Sequence, residues 1–332
     1  MKRFFSTLLA LGLLVGSHTA LAAPQVFDAE LKDSSRDRAI PIKVRVPDGS
    51  GKVPLVIFSH GLGGSVEGGK TWGEHWSSNG YLVVHVQHPG SDTPALRQSL
   101  TAGEGEPKQR MRNIATPENL VGRVDDVRYL ISEVERQQRA NTTTWMNRVD
   151  LSRIAMTGHS FGAHTTMALA GQRYPGPVKT IADPRIKAFI ALSPNATGLP
   201  RTFAERFGSM NAPFLSITGT QDADPFAAER NMKKMVEERT AVFENQPAGD
   251  KYLLVLEGAD HMVFNGNEQQ SMRAVRQAEP MSPAAHKKIE DAVAQSTKKF
   301  LDAYLRDDSA AKAWLKSDAA KVFADAGEWR SK

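Results

Sequence analysis

The chain has 332 residues, no cysteine, a formal net charge of +5, and 40% hydrophobic residues. This apolar content is enough for the core of one large domain, which must be stable without disulfide bonds. The small excess of basic residues is not clustered with aromatic residues, so the composition gives no support to nucleic-acid binding.

Residues 1–22 have the three parts of a secretory leader. Two basic residues near the start precede an apolar run at 8–15, and Ala-Leu-Ala at 20–22 has the small-x-small spacing of a cleavage signal. The run is too short to remain as a permanent membrane anchor, and no other segment is a candidate. We therefore expect cleavage after Ala22 and an exported protein, periplasmic or secreted, with one domain over residues 23–332.

The first segments of this domain read as β-strands. Residues 25–31 and 40–46 are rich in β-forming residues and flank a polar turn, which predicts an antiparallel hairpin at a sheet edge. Residues 54–59 are almost all apolar, which is typical of a strand covered on both faces. The glycine-rich segment 60–65 follows, without the spacing of a phosphate-binding or dinucleotide-binding loop. His60 is expected to brace this loop.

Residues 81–86 predict the next buried strand. His85 and His88 stand three apart there, but no third ligand has metal-binding spacing, so no metal site is expected. Residues 93–117 are rich in glycine, proline and charge, which predicts a long loop over the functional face of the sheet. Whether this loop moves as a lid is left open.

Helical spacing of apolar residues predicts a helix over residues 120–138. Asp125 and Asp126 on this helix are expected to be exposed charges. Further helices are predicted over 226–242, over 283–305, and within a C-terminal helical extension at 308–332.

The stretch 153–164 contains the most informative motif. It passes from a short apolar strand through Gly158-His159-Ser160-Phe161-Gly162 into helical sequence. This order is typical of a nucleophile elbow, a strained turn that exposes the hydroxyl of Ser160 at the edge of the sheet. A Cβ at either glycine is expected to collide with the neighbouring strand or helix. The alternative is a tight turn whose serine only caps the helix.

Two further polar residues, Asp222 and His261, follow the strands predicted at 213–218 and 251–256. Because parallel strands end at the same edge of a sheet, we expect both to converge on Ser160. The chain order is then nucleophile, acid and base. The serine would attack a carbonyl carbon, the histidine would move the proton, and the aspartate would orient the imidazole.

Asp224 lies on the same loop as Asp222 and is the alternative acid. Asp260 is adjacent to His261 in sequence, and adjacent side chains usually point apart, so it is not expected to orient the ring. The backbone N–H groups of Leu62 and Phe161 are the expected oxyanion donors. The first belongs to the glycine-rich loop, and the second directly follows the nucleophile.

The segments 59–65, 158–162 and 258–261 together resemble the bacterial α/β-hydrolases grouped with dienelactone hydrolases and platelet-activating-factor acetylhydrolases. The similarity spans residues 40–305. It implies carboxylic-ester hydrolysis without a metal or an organic cofactor.

The sequence departs from this group at two points. Dienelactone hydrolases proper have a cysteine nucleophile, which this chain lacks. The acetylhydrolases carry their acid after the strand that follows the elbow helix, where this chain has Ser193 and Pro194. The acid is therefore expected after the next strand, and the resemblance does not extend to phospholipid specificity.

These patterns predict an α/β-hydrolase fold, with a doubly wound, mostly parallel sheet of about eight strands and helices on both faces. The predicted function is that of an exported serine esterase acting on a small to medium acyl ester, a lipid fragment or a polyester. A serine peptidase or amidase would use the same triad. A non-catalytic binding protein on this scaffold would require a lost triad member. The sequence does not specify an oligomeric state.

Overall fold

The computed structural model of the chain describes residues 23–101, 106–174, 181–196, 202–223, 231–267 and 281–332. The predicted leader at residues 1–22 and the alternative acid Asp224 lie outside these ranges. Within these ranges, no helix is long and apolar enough to cross a membrane.

A nine-stranded sheet forms the centre of the fold, in the order β1-β2-β4-β3-β5-β6-β7-β8-β9. The strands are β1 (Gln25–Asp33), β2 (Arg38–Val46), β3 (Val53–Ser59), β4 (Leu82–Val86), β5 (Val149–His159), β6 (Ile186–Leu192), β7 (Phe214–Gln221), β8 (Lys251–Asp260) and β9 (Gly327–Ser331). Strands β3 to β8 pair with one another in parallel. At the edges, β1, β2 and β9 pair antiparallel. The predicted mostly parallel sheet is confirmed, with one strand more than expected.

Ten α-helices lie in the described part of the chain. They are α1 (Lys70–Ser78), α2 (Thr93–Thr101), α3 (Pro107–Arg112), α4 (Pro117–Arg139), α5 (Phe161–Leu169), α6 (Phe203–Phe207), α7 (Met232–Glu244), α8 (Pro283–Leu305), α9 (Ser309–Ser317) and α10 (Ala319–Val322).

The helices cover both faces of the sheet, and the side chains of β3 point alternately into the two layers of helices. Its side chains Leu55 and Ile57 enter a core shared with α4, α5 and α7. Val56 and Phe58, between them in sequence, enter a second core shared with α1, α8 and α9. Because successive side chains of a strand point to opposite faces, an uninterrupted apolar run fits a strand buried on both sides.

The segment 93–117, predicted as a loop, contains the helices α2 and α3. Burial does not mark α2, since none of its residues is buried. Its start is fixed locally, because the Asp92 carboxylate accepts a hydrogen bond from the N–H of Ala95 at 3.2 Å. In α3, Pro107 occupies the first turn, where its missing N–H costs nothing. The glycine and proline content therefore predicted an irregular loop, where a capping aspartate favours one short helix and a proline in the first turn favours the other.

The C-terminal extension is helical only in part. After α9 and α10, residues Gly327–Ser331 form the edge strand β9, which pairs antiparallel with β8 and sets Trp329 opposite Leu254. The indole N–H of Trp329 donates to the carbonyl of Leu315 in α9 at 3.0 Å. Five residues of mixed polarity give no recognisable strand period, so the pairing depends on the free edge of β8.

Candidate active site

Ser160 lies at the turn between β5 and α5, with φ 55° and ψ −114°. This is a strained conformation for a residue that carries a Cβ. A Cβ on Gly158 would collide with the carbonyl of Gly162, and a Cβ on Gly162 would collide with the carbonyl of Ser59 at the end of β3. Both glycines therefore allow the close approach of β3, β5 and α5 that the turn requires.

The structure brings Ser160, His261 and Asp222 into one line of hydrogen bonds. His261 Nε2 lies 2.9 Å from Ser160 Oγ, and His261 Nδ1 lies 2.8 Å from Asp222 Oδ1. The aspartate is fully buried and the histidine nearly so, whereas the serine keeps partial access to solvent. The three residues follow β5, β7 and β8, so the carboxyl ends of parallel strands bring them together.

Asp222 has more partners than the histidine alone. Its Oδ1 accepts from Ser193 Oγ at 2.9 Å and pairs with Arg239 Nη2 at 3.0 Å. Its Oδ2 accepts from Thr218 Oγ1 at 2.8 Å. Burial alone would raise the pKa of this carboxyl, but the Arg239 charge and the hydrogen bonds from His261 and Thr218 lower it to about 2. Asp222 is therefore ionised at neutral pH.

The sequence reasoning missed two residues of the site, Ser193 and Arg239. Ser193 directly follows β6, and its Oγ lies 2.8 Å from His261 Nδ1. The rule that polar residues after parallel strands converge would have found it. Arg239 lies inside the helix predicted over 226–242, where nothing in the helical pattern distinguishes it from a surface arginine.

The backbone N–H groups of Leu62 and Phe161 lie in the two segments that flank the serine. Among the hydrogen bonds of the described residues, neither N–H has a backbone or side-chain acceptor. The glycine-rich loop lies directly against the elbow, since a Cβ on Gly61 would be 3.5 Å from Ser160 Cβ. The glycine-rich loop and the start of α5, which carry these two N–H groups, therefore both lie beside the serine.

The sequence model of the family described as platelet-activating factor acetylhydrolase, isoform II, matches residues 39–268, which is more than half of the chain. The chain belongs to this acetylhydrolase family. The family consists of serine esterases, so the chain is a carboxylic ester hydrolase. A comparison with curated proteins finds no match. The resemblance to the acetylhydrolases is thereby confirmed.

Arg123 braces the glycine-rich loop of this acetylhydrolase-family chain from inside. The side chain is fully buried. Its Nη1 donates to the carbonyl of His60 at 2.6 Å, and its Nε donates to Ser91 Oγ at 2.8 Å. The guanidinium also lies over the ring of Phe161, 4.4 Å from the centroid. Burial lowers the pKa of Arg123 to about 9, which leaves it charged at neutral pH. The Arg123 side chain thus contacts both the glycine-rich loop, which carries the N–H of Leu62, and Phe161, whose own N–H also has no acceptor.

A second Ser–His–Asp array lies behind this loop, sealed from solvent. His88 Nε2 is 2.9 Å from Ser59 Oγ, and His88 Nδ1 is 3.0 Å from Asp126 Oδ2. Arg38 donates to both carboxylate oxygens of Asp126, at 2.6 and 2.8 Å. Asp126, expected as an exposed charge, is therefore fully buried. The expectation was wrong because the two arginines that neutralise the carboxylate, Arg36 and Arg38, lie 90 and 88 positions away in sequence.

The other histidines near the site have structural partners. The imidazole of His60 is buried and accepts from the N–H of His88 at 3.1 Å, which agrees with a bracing role. His159 donates from Nε2 to the carbonyl of His261 at 2.8 Å. His85 Nδ1 donates to the carbonyl of Gly68 at 2.8 Å. Over the described ranges, no cluster of three or more His, Cys, Asp and Glu side chains could hold a metal ion.

Proposed function

We propose that this esterase hydrolyses its substrate with Ser160 as nucleophile, His261 as general base and acid, and Asp222 as the orienting carboxylate. The observation that carries the proposal is the unbroken hydrogen-bonded line from serine to histidine to buried aspartate, with distances of 2.9 and 2.8 Å. Nucleophile, base and orienter in this order are the geometric signature of serine hydrolysis.

In the acylation step, Ser160 Oγ attacks the ester carbonyl carbon while its proton passes to His261 Nε2. The Asp222 carboxylate accepts from Nδ1–H throughout and stabilises the imidazolium that forms. The imidazolium then protonates the departing alkoxide, and the C–O bond to the alcohol breaks. In deacylation, the neutral imidazole takes a proton from water as the water oxygen attacks the acyl-serine carbonyl carbon. The imidazolium then protonates Ser160 Oγ as the C–Oγ bond breaks, which releases the acid and restores the free serine.

The tetrahedral intermediate carries a negative charge on the former carbonyl oxygen. We assign its stabilisation to the backbone N–H groups of Leu62 and Phe161, because both flank Ser160 and both lack an acceptor in the described part of the chain. A donor of this kind contributes about 3 kcal/mol to lowering the barrier. No metal or organic cofactor takes part in this scheme.

The proposed substrate is a small to medium acyl ester, a lipid fragment or a polyester. In support, the apolar side chains of Leu62 in the glycine-rich loop, of Phe161 after the serine and of Met262 after His261 are each partly exposed. The test is hydrolysis of p-nitrophenyl esters with acyl chains from two to sixteen carbons, by the wild type and Ser160→Ala. We expect serine-dependent turnover with a maximum at short chains. Turnover that persists in Ser160→Ala would contradict the mechanism, and a maximum at long chains would identify a lipase.

We also propose that residues 1–22 direct export and are removed after Ala22, leaving a single domain over residues 23–332. Support comes from the basic start, the apolar run and the Ala-Leu-Ala signal of the sequence. N-terminal sequencing of the protein from culture medium and from a periplasmic extract tests this. We expect the mature protein to begin at Ala23. An intact Met1 in the active protein would contradict export by cleavage.

A further inference from the structure

Arg239 is a buried cation next to the proposed triad. The residue lies on α7 and is 2% exposed. Its Nη2 lies 3.0 Å from Asp222 Oδ1 and 3.2 Å from His261 Nδ1. Its Nε donates to the backbone carbonyl of Asp222 at 2.7 Å, and its Nη1 donates to the carbonyls of Ser193 and Pro194, each at 3.1 Å. One side chain therefore joins the ends of β6 and β7 to the histidine after β8.

The arginine and the imidazole lie next to the same carboxylate oxygen. Asp222 Oδ1 is 2.8 Å from His261 Nδ1 and 3.0 Å from Arg239 Nη2, and Nη2 is itself only 3.2 Å from Nδ1. A neutral imidazole tolerates this arrangement, since the cation and the carboxylate then balance. When Nε2 takes up a proton, two cations share one carboxylate. A like charge at this distance disfavours the protonated ring.

The other groups that face the imidazole of His261 carry no charge. The ring of His159 on β5 has its centroid 4.8 Å away, and burial lowers the pKa of His159 to about 3, so it is neutral. The hydroxyls of Ser160 and Ser193 are neutral as well. The carboxylate of Asp260 instead accepts from two backbone N–H groups of the following turn, each at 2.9 Å. In the described part of the chain, the triad acid and the arginine are thus the charged groups that face the ring.

We propose that Arg239 is a positioning residue for the proposed triad, and that its charge favours the neutral, active form of His261. The enzyme would then remain active at a lower pH than the same triad without the cation. This role depends on the proposed function, because it requires His261 to be the base. The contacts to Ser193 and Pro194 give Arg239 a second effect, since they hold the acid and the end of β6 in place.

The experiment measures kcat/KM for a short p-nitrophenyl ester between pH 4.5 and 9 in the wild type, Arg239→Met and Arg239→Lys. We expect the plateau value of kcat/KM at high pH to be lower in both variants, because each loses hydrogen bonds from Arg239 to backbone carbonyls. In Arg239→Met, the midpoint of the acidic limb should move upward by about 1–3 pH units, since a like charge has been removed. In Arg239→Lys, which keeps the charge, the midpoint should stay close to that of the wild type.

The direction of the shift separates the charge from a purely structural role. If Arg239 only held Asp222 in place, its loss would weaken the support for the protonated ring, and the midpoint would stay or move downward. That result in Arg239→Met would overturn the proposal. An upward shift of equal size in Arg239→Met and Arg239→Lys would also overturn it, because the charge would not be the cause.

Two controls keep the test decisive. Arg239→Gln removes the charge but keeps two N–H donors, and it replaces Arg239→Met if that variant does not fold, as judged by circular dichroism. The wild-type profile tests the proposed function separately. A wild type without an acidic limb would contradict the role of His261 as base. A normal wild-type limb that does not move in the charge-free variants would contradict only the role of Arg239.

Discussion

At the scale of single residues, the contacts of Asp222 determine the charge of its carboxylate. Its carboxylate is fully buried, and it stays ionised because a cation and several hydrogen-bond donors surround it. Three of these partners reach the same oxygen: His261 Nδ1, Ser193 Oγ and Arg239 Nη2. The negative charge next to the imidazole of His261 is therefore held in place by the fold itself.

The substitution Asp222→Asn should lower kcat by about 10³- to 10⁴-fold with little change in KM, because an amide cannot hold the imidazole in the correct tautomer. Steady-state kinetics on a short p-nitrophenyl ester measures this. Thr218→Val is the matched control, since it removes only one hydrogen bond to the far oxygen. If Asp222→Asn kept activity within tenfold of the wild type, the acid would have to be another residue.

At the scale of elements, the helix α4 supports the glycine-rich loop through Arg123. This buried side chain binds the carbonyl of His60 and the hydroxyl of Ser91, and it stacks on Phe161. The loop after β3, the loop after β4 and the start of α5 therefore depend on one helical residue. The free N–H groups of Leu62 and Phe161 are the parts of these segments that the proposed chemistry uses.

Arg123→Met should lower kcat by about 10²-fold, on the scale of one lost oxyanion donor, while KM changes little. The physical reason is that Leu62 and Phe161 lose their common support. Comparison of kcat and KM for the folded variant tests this. Arg136→Met is the matched control, because Arg136 lies on the same helix, is exposed and pairs with Glu133. A change in KM with no change in kcat, or an equal fall of kcat in both variants, would contradict a role for Arg123 in the loop.

At the scale of the whole molecule, the parts fixed by local patterns could be predicted from sequence. The parallel core, the elbow at Ser160 and the position of His261 follow from apolar runs and glycine spacing. Features fixed by distant partners could not be predicted. The burial of the Asp126 carboxylate depends on its ion pair with Arg38, and β9 forms a strand by pairing with the edge of β8. The role of Arg239 depends on three strand ends that meet only in the fold.

Buried neutral histidines should make stability fall as the solution becomes acidic. Burial lowers the pKa of His85 and His159 to about 3 and that of His88 to about 4. Below about pH 6.5, the ordinary pKa of histidine, these side chains bind protons in the unfolded chain but stay neutral in the folded chain. The free energy of unfolding should then drop by about 1.4 kcal/mol per pH unit for each histidine, down to the folded pKa.

Urea unfolding of the wild type and His85→Gln at pH 7.5, 6.0 and 5.0 measures this effect. We expect the free energy of unfolding to fall at each step in the wild type, and to fall less steeply in His85→Gln. His85 is suited to this comparison because its partner is the backbone carbonyl of Gly68, outside the proposed triad. Equal stability of the wild type at pH 7.5 and pH 5.0 would contradict the assignment of these rings as neutral.

The most direct test of the central assignment is covalent labelling by a fluorophosphonate ester, which reacts with an activated serine. Peptide mass spectrometry of the labelled wild type should place one phosphonyl group on Ser160 alone. Labelling should be absent in Ser160→Ala and much slower in His261→Ala, whose serine lacks its base. A label on any other serine of the wild type, or undiminished labelling in Ser160→Ala, would contradict the proposed mechanism.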